Sequence, residues 1–247
     1  MTQPTFAALV WDGKGKVTRR ERFLAEMDAV IPWAVLTALV VPHYPRAGQG
    51  TQPMPLARML RIYFLQHWFN LSDPAMEDAL YDSEAMRRFA GIELGADPVP
   101  DESTILRFRH LLERHQLTEA MFGAVRTLLD ERQLLLKAGT IVDATIIEAP
   151  PSTKNAAHAR DPEMHQTRKG KTWHFGMKAH VGTDLQGIVH SLTTTAAHVA
   201  DITQLPQLLH GAERVLHGDQ AYWSAFHQQC AEAHGVHYRV NRRGTHH

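Results

Sequence analysis

The stretch Gly139-Thr140-Ile141-Val142-Asp143-Ala144-Thr145-Ile146-Ile147 constrains the fold most, because it sets a charge inside strand-forming chemistry. It is rich in β-branched residues and bounded by Gly139 and by Pro150-Pro151, which predicts a buried strand. Period-two alternation places Ile141, Asp143, Thr145 and Ile147 on one face. A buried, unpaired carboxylate is costly, so Asp143 is expected at an exposed strand end, beside a cation or on a metal. Val215-Leu216-His217-Gly218-Asp219 repeats the pattern, a short apolar run ending in a carboxylate before a turn. Two strand-end aspartates point to a metal site.

The chain has 247 residues, enough for one large domain or two smaller ones. Its 26 basic and 26 acidic residues cancel, so polyanion binding has to come from local patches rather than from net charge. The single cysteine, Cys230, excludes an internal disulfide and suits a reducing cytosol. The N-terminus lacks the basic-then-apolar order of a signal peptide. The apolar run Val30 to Val41 contains Pro32 and is too short for a bilayer. A soluble cytoplasmic protein with no membrane partner is the expectation.

Along the chain, residues 1–18 read as a leader docking through Phe6, Leu9, Val10 and Trp11. Phe23, Met27, Val30 and Ile31 recur at helical spacing until Pro32 interrupts them, and Pro42 to Pro55 reads as a linker. Helices are predicted over Leu56 to Trp68, from an Asp73 cap with Pro74 in the first turn, and over Ser83 to Ala90. Asp101-Glu102-Ser103-Thr104 caps a helix reaching about His115, with Ile105, Phe108, Leu111 and Leu112 inward. Arg107, His110 and Arg114 form an outward basic stripe, readable as a DNA-recognition helix or as a solvated face. Leu117 to Leu136 is one more amphipathic helix.

The texture turns strand-like at Gly139. A polar, irregular stretch runs from Pro150 to Lys171, and Trp173 to Val181 then alternates cleanly. A turn over Gly182–Gly187 leads into Ile188–Thr195 as a hairpin. Asp201 with Gln204 looks like a capping box for a helix ending near Gly211. The strand ending at Asp219, a helix from about Trp223 to His234 and a last strand Val236–Val240 follow. The fold class predicted is mixed α+β, with 1–50 as leader, helix and linker, 51–136 as a helical domain and 139–247 as a layered helix-and-sheet domain.

Two strand-end aspartates can hold Mg²⁺ or Mn²⁺ and leave waters for phosphate oxygens to replace. The bland alternative for Asp219 is a helix cap. Segment 154–180 carries Lys154, Arg160, Arg168, Lys169, Lys171 and Lys178 against Asp161 and Glu163, with Trp173 embedded. That mixture suits phosphate contacts and base stacking, or else a solvated loop. His174, His180 and His198, close to Asp201, offer a rival zinc reading that no tight ligand spacing supports.

Several segments together resemble bacterial insertion-sequence transposases of the DDE type, in the insertion-sequence-five group. They are Asp101-Glu102-Ser103-Thr104-Ile105-Leu106-Arg107-Phe108-Arg109, Val142-Asp143-Ala144-Thr145, Asp161-Pro162-Glu163-Met164 through His180, and Gly218-Asp219-Gln220-Ala221-Tyr222. The resemblance implies a helical DNA-binding domain followed by a ribonuclease-H-like catalytic domain. It implies Mg²⁺-dependent cleavage and strand transfer, with Asp143 and Asp219 as catalytic, metal-holding carboxylates. DNA-contacting residues would be Arg107, His110, Arg114, Lys154, Arg168, Lys169, Lys171, Trp173 and Lys178. Partners would be double-stranded DNA at the element ends and target, and further copies of the chain; the setting would be the cytoplasm, at the nucleoid. The family places a catalytic Glu on a helix after the last strand, whereas here the sequence reaches Asn241-Arg242-Arg243 directly after it, and Glu232 lies earlier. A C-terminally truncated product, acting only as a DNA-binding or inhibitory fragment, is the alternative expectation.

Overall fold

A computed structural model describes residues 13–48, 52–150, 153–154 and 159–242. Docking of the leader through Phe6, Leu9, Val10 and Trp11 lies outside these residues. The chain divides into two compact units, Met1–Leu128 and Leu129–His247.

The first unit is helical. Helix α1 (Arg19–Val30) starts in a capping box, with Thr18 and Glu21 each serving the other's backbone N–H. Pro32 denies the backbone its donor, so the chain bends by 70° before α2 (Trp33–Val40). The expected apolar face of α1 is displaced: Leu24 is the buried residue, while Phe23 stays 36% exposed and packs edge-on against Trp68 and Phe69. Helix α3 (Leu56–Phe69) buries Met59, Leu60, Ile62 and Leu65 and ends where Asn70 turns left-handed at φ 51°.

Ser72, not Asp73, caps α4 (Asp73–Asp82), and Ser83 caps α5 (Glu84–Ala90). Asp73 is thereby free to accept from Gln66 and, through both oxygens, from Arg109 on α6 (Glu102–Arg114). The Arg109 guanidinium overcomes partial burial and holds the Asp73 carboxyl below its ordinary value. Helix α6 buries Ile105, Phe108 and Leu112, as its spacing predicts. Helix α7 (Leu117–Glu131) stops short of the predicted Leu136. Gln133 takes φ 57° and Leu134 N–H donates back to the Leu129 carbonyl, closing the helix end.

The second unit is built on one sheet. Strand β1 (Gly139–Glu148) pairs antiparallel with β3 (Thr172–Thr183), and β3 pairs antiparallel with β2 (His165–Lys169) and β4 (Val189–Ala196). On its other edge β1 pairs parallel with β5 (Val215–Gly218), which pairs parallel with β6 (His237–Val240). Strand β2 was not expected, because His165-Gln166-Thr167-Arg168-Lys169 carries no apolar alternation; it is imposed by the hairpin at Gly170, where φ is +62°. At Gly176 a Cβ would meet the Ile147 carbonyl oxygen, so only glycine lets β1 and β3 approach there.

The prediction of a buried β1 holds for one face only. Val142 is 2% exposed on one face, but Ile141 and Ile147 on the other are 38% and 51% exposed. The covered face packs on Leu205, Leu208, Leu216, Tyr222 and Val240. Asp201–Gln204 is a 3-10 turn leading to a four-residue helix α8 (Leu205–Leu208), so the helix ends before Gly211. Gln220–Tyr222 is a second 3-10 turn, and α9 (Ala225–Ala233) follows. Among the described residues no single helix is long and apolar enough to cross a membrane.

Candidate active site

The parallel register of β1 and β5 runs from Gly139 opposite Val215 to Val142 opposite Gly218. Asp143 and Asp219 each stand one residue beyond that last pair, on neighbouring strands about 4.8 Å apart. This is the carboxyl end of the parallel ladder, where open sheets leave room for a ligand. Both residues are exposed. Asp143 Oδ1 accepts from the Ala144 N–H at 2.8 Å, and Asp219 Oδ1 accepts from the Ala221 N–H at 2.9 Å. Asp219 thus does cap a turn, and its second oxygen accepts no hydrogen bond among the described residues. Gly218 admits this geometry: a Cβ there would press Val142 Cγ2 at 3.0 Å and Tyr222 Cβ at 3.4 Å.

Tyr222 closes the turn and is 1% exposed. Burial first, then the charges of Asp201, Asp143 and Asp219, hold its phenol protonated far above its ordinary range. Its hydroxyl has no hydrogen-bond partner among the described residues. Asp201, expected to cap a helix, makes no cap bond; its Oδ1 accepts instead from Lys178 Nζ at 2.8 Å. His180 beside it is fully buried, with Nε2 2.8 Å from Thr195 Oγ1 and Nδ1 3.7 Å from Asp201. Burial outweighs Asp201 and lowers the His180 pKa, so the imidazole is neutral at pH 7 and the 3.7 Å approach is not an ion pair.

A separate polar cluster closes the amino end of the same strand pair. Thr140 Oγ1 donates to Glu213 Oε1 at 3.1 Å and lies 3.2 Å from His190 Nε2, while Glu213 also accepts from the His210 and Gly211 N–H groups. Every Glu213 oxygen is engaged, so this cluster ties structure together.

The residues expected to meet DNA fall in two places. Arg107, His110 and Arg114 are exposed along one face of α6. In the sheet unit, Arg168, Lys169 and Lys171 surround the β2–β3 hairpin tip, and Trp173 stands 63% exposed opposite Arg168 in the register. Lys154 is exposed as well. Lys178 is the correction: its ammonium is turned inward onto Asp201 and the Val199 carbonyl and does not join the exposed cations. The zinc alternative finds no ligand set. His174 lies 3.4 Å from Glu148, the His165 and His198 rings meet at a tilt of 58°, and no three His, Cys, Asp or Glu residues gather at metal-ligand spacing among those described.

The sequence assigns Asp201 a helix-capping role, His180 a place in the rival zinc set and Tyr222 a place in a resembling segment, and sets none of them beside the Asp219 turn. Their one legible signal was the alternation that set Lys178 and His180 on the same strand face. A pair of carboxylates with open oxygens fits a hard divalent cation, which takes one or two protein carboxylates and keeps waters. DDE transposases typically use such a metal. Residues 12–111 match the model of a family described as a transposase domain (DUF772), and residues 135–245 match that of the transposase DDE domain. The inactive-fragment alternative gains nothing from either match. Two transposase models matched in series along one chain support a DDE transposase, a kind of protein that implies DNA as a partner.

Proposed function

We propose that the chain is a DNA transposase of the insertion-sequence-five group that cleaves element ends and joins them to target DNA, with Asp143 and Asp219 as its catalytic carboxylates. The observation that carries this reading is the register: both aspartates stand one step past the Val142–Gly218 pair, side by side at the carboxyl end of the parallel strands. Asp143 and Asp219 would hold Mg²⁺ or Mn²⁺, which when bound supplies charge stabilisation at the reacting phosphate.

The remaining work falls to the chain's own groups. The Ala144 and Ala221 N–H donors fix one oxygen of each exposed carboxylate. Cations at the β2–β3 hairpin bind backbone phosphates, and exposed Trp173 gives a frayed base a surface to stack on. The stripe on α6 positions the element end. Antiparallel β1, β3 and β4, with β2 added on β3, followed by β5 and β6 parallel to β1, and a carboxylate at each of two adjacent strand ends, support a ribonuclease-H-like catalytic fold. Work at two element ends further favours a homo-oligomer on DNA.

Labelled element-end DNA incubated with Mg²⁺ tests the reading. The unaltered chain should nick it, and Asp143→Ala should abolish nicking without lowering the melting temperature, since the residue is exposed and buries nothing. Equal nicking by both proteins would overturn the assignment.

A further inference from the structure

The turn that bears Asp219 is held by more than its own strand. Strand β5 is four residues long, and Asp219 lies just past the last residue paired with β1, so the ladder does not extend along the turn that follows. Its bond to Ala221 is local and moves with the turn. What the turn does touch is the Asp201–Gln204 3-10 turn, which packs against Gln220–Tyr222. That second turn is clamped to the sheet. Lys178 Nζ, on β3, donates to Asp201 Oδ1 at 2.8 Å and to the Val199 carbonyl at 2.9 Å, with the Lys178 and Asp201 side chains only 13% and 17% exposed. A carboxylate that caps nothing and binds a doubly anchored ammonium serves the fold at that spot or serves its neighbour. Its neighbour is the Asp219 turn, where the buried Tyr222 hydroxyl has no partner among the described residues.

We propose that Asp201, anchored by Lys178, is a positioning residue that holds the Asp219 turn at the height where Asp219 stands beside Asp143. The proposal rests on the reading of Asp143 and Asp219 as metal-holding carboxylates. With the Asp201 charge removed, Lys178 loses its partner in a mostly dry site and the clamp opens. Asp219 then drifts relative to Asp143. A metal that needs both carboxylates loses affinity, while the reaction in the loaded enzyme is little changed.

The test is a Mn²⁺ titration of the full chain, read by the spin resonance of free Mn²⁺ and by the Mn²⁺ dependence of element-end nicking. The proteins compared are the unaltered chain, Asp143→Ala, Asp201→Asn, Asp201→Glu and Lys178→Met, each with a thermal melt. Asp201→Asn should raise the half-saturating Mn²⁺ by about tenfold in both readouts, as loss of a group that orients a ligand does, and leave the saturating rate within about threefold. Lys178→Met should move the same way, and Asp201→Glu should recover most of the loss. An Asp201→Asn protein that melts lower but keeps the original Mn²⁺ dependence would leave Asp201 a purely structural role and overturn the proposal. If Asp201→Asn fails to fold, Lys178→Met decides by the same criterion. Unchanged Mn²⁺ binding in Asp143→Ala would overturn the site reading itself. Loss there with an indifferent Asp201→Asn would overturn the positioning role alone.

Discussion

Asp184 shows how much one side chain off the site can carry. It is fully buried in the β3–β4 turn, and its carboxylate accepts from the backbone N–H groups of Leu136, Gln186 and Ile188. Burial alone would raise its pKa; the backbone donors outweigh it and the net direction is downward. A carboxyl whose folded pKa is depressed adds stability above its unfolded value, about 4, and gives that stability up as pH falls through the lower folded one. Acid melts of the unaltered chain and of Asp184→Asn should therefore differ most near neutrality and converge at the acid end. Asp184→Ala strands three part-buried donors and should cost about 2 kcal/mol at pH 7 by denaturant unfolding. A cost within 0.5 kcal/mol, roughly that of an ordinary surface change, would refute the role. Nothing in the sequence marked Asp184, since its donors come from a segment 48 residues away as well as from its own turn.

At the scale of elements, α6 and the β2–β3 hairpin make separable predictions. Helix α6 was legible end to end, because Asp101 caps it and its apolar residues keep helical spacing; the sheet hairpin was not, because β2 is polar throughout. Replacing Arg107 and Arg114 together by alanine should weaken binding to every duplex and lower the slope of log affinity against log salt by about 2, one per phosphate contact. An unchanged slope would return the stripe to the status of a solvated face. Trp173→Ala at the hairpin should weaken binding to a single-stranded or frayed end by about 1–3 kcal/mol and leave blunt duplex binding nearly untouched. Fluorescence titration with matched blunt and frayed oligonucleotides separates the two cases.

For the whole molecule, balanced charge means that DNA affinity is a matter of where the cations stand. The two compact units also differ in core. The helical unit gathers a long buried cluster from Leu24 to Met121, whereas the sheet unit's cluster among the described residues is Val142, Leu205, Leu208, Leu216, Tyr222 and Val240. Calorimetry should resolve two transitions, the lower one belonging to the sheet unit, and Mn²⁺ at about 100 times its dissociation constant should raise that one by roughly 2.7 kcal/mol. A single transition indifferent to Mn²⁺ would contradict both the order and the site. By itself the sequence determined what short-range chemistry controls: the capped helices, the break at Pro32, the strands around Asp143 and Asp219, and the mixture of helix and sheet. Only the tertiary structure decided that β1 keeps one face open, that Lys178 turns inward to Asp201, and that the two aspartates stand level on adjacent strands. Those outcomes depend on pairing register and on partners tens of residues away, and no local pattern of side chains encodes either.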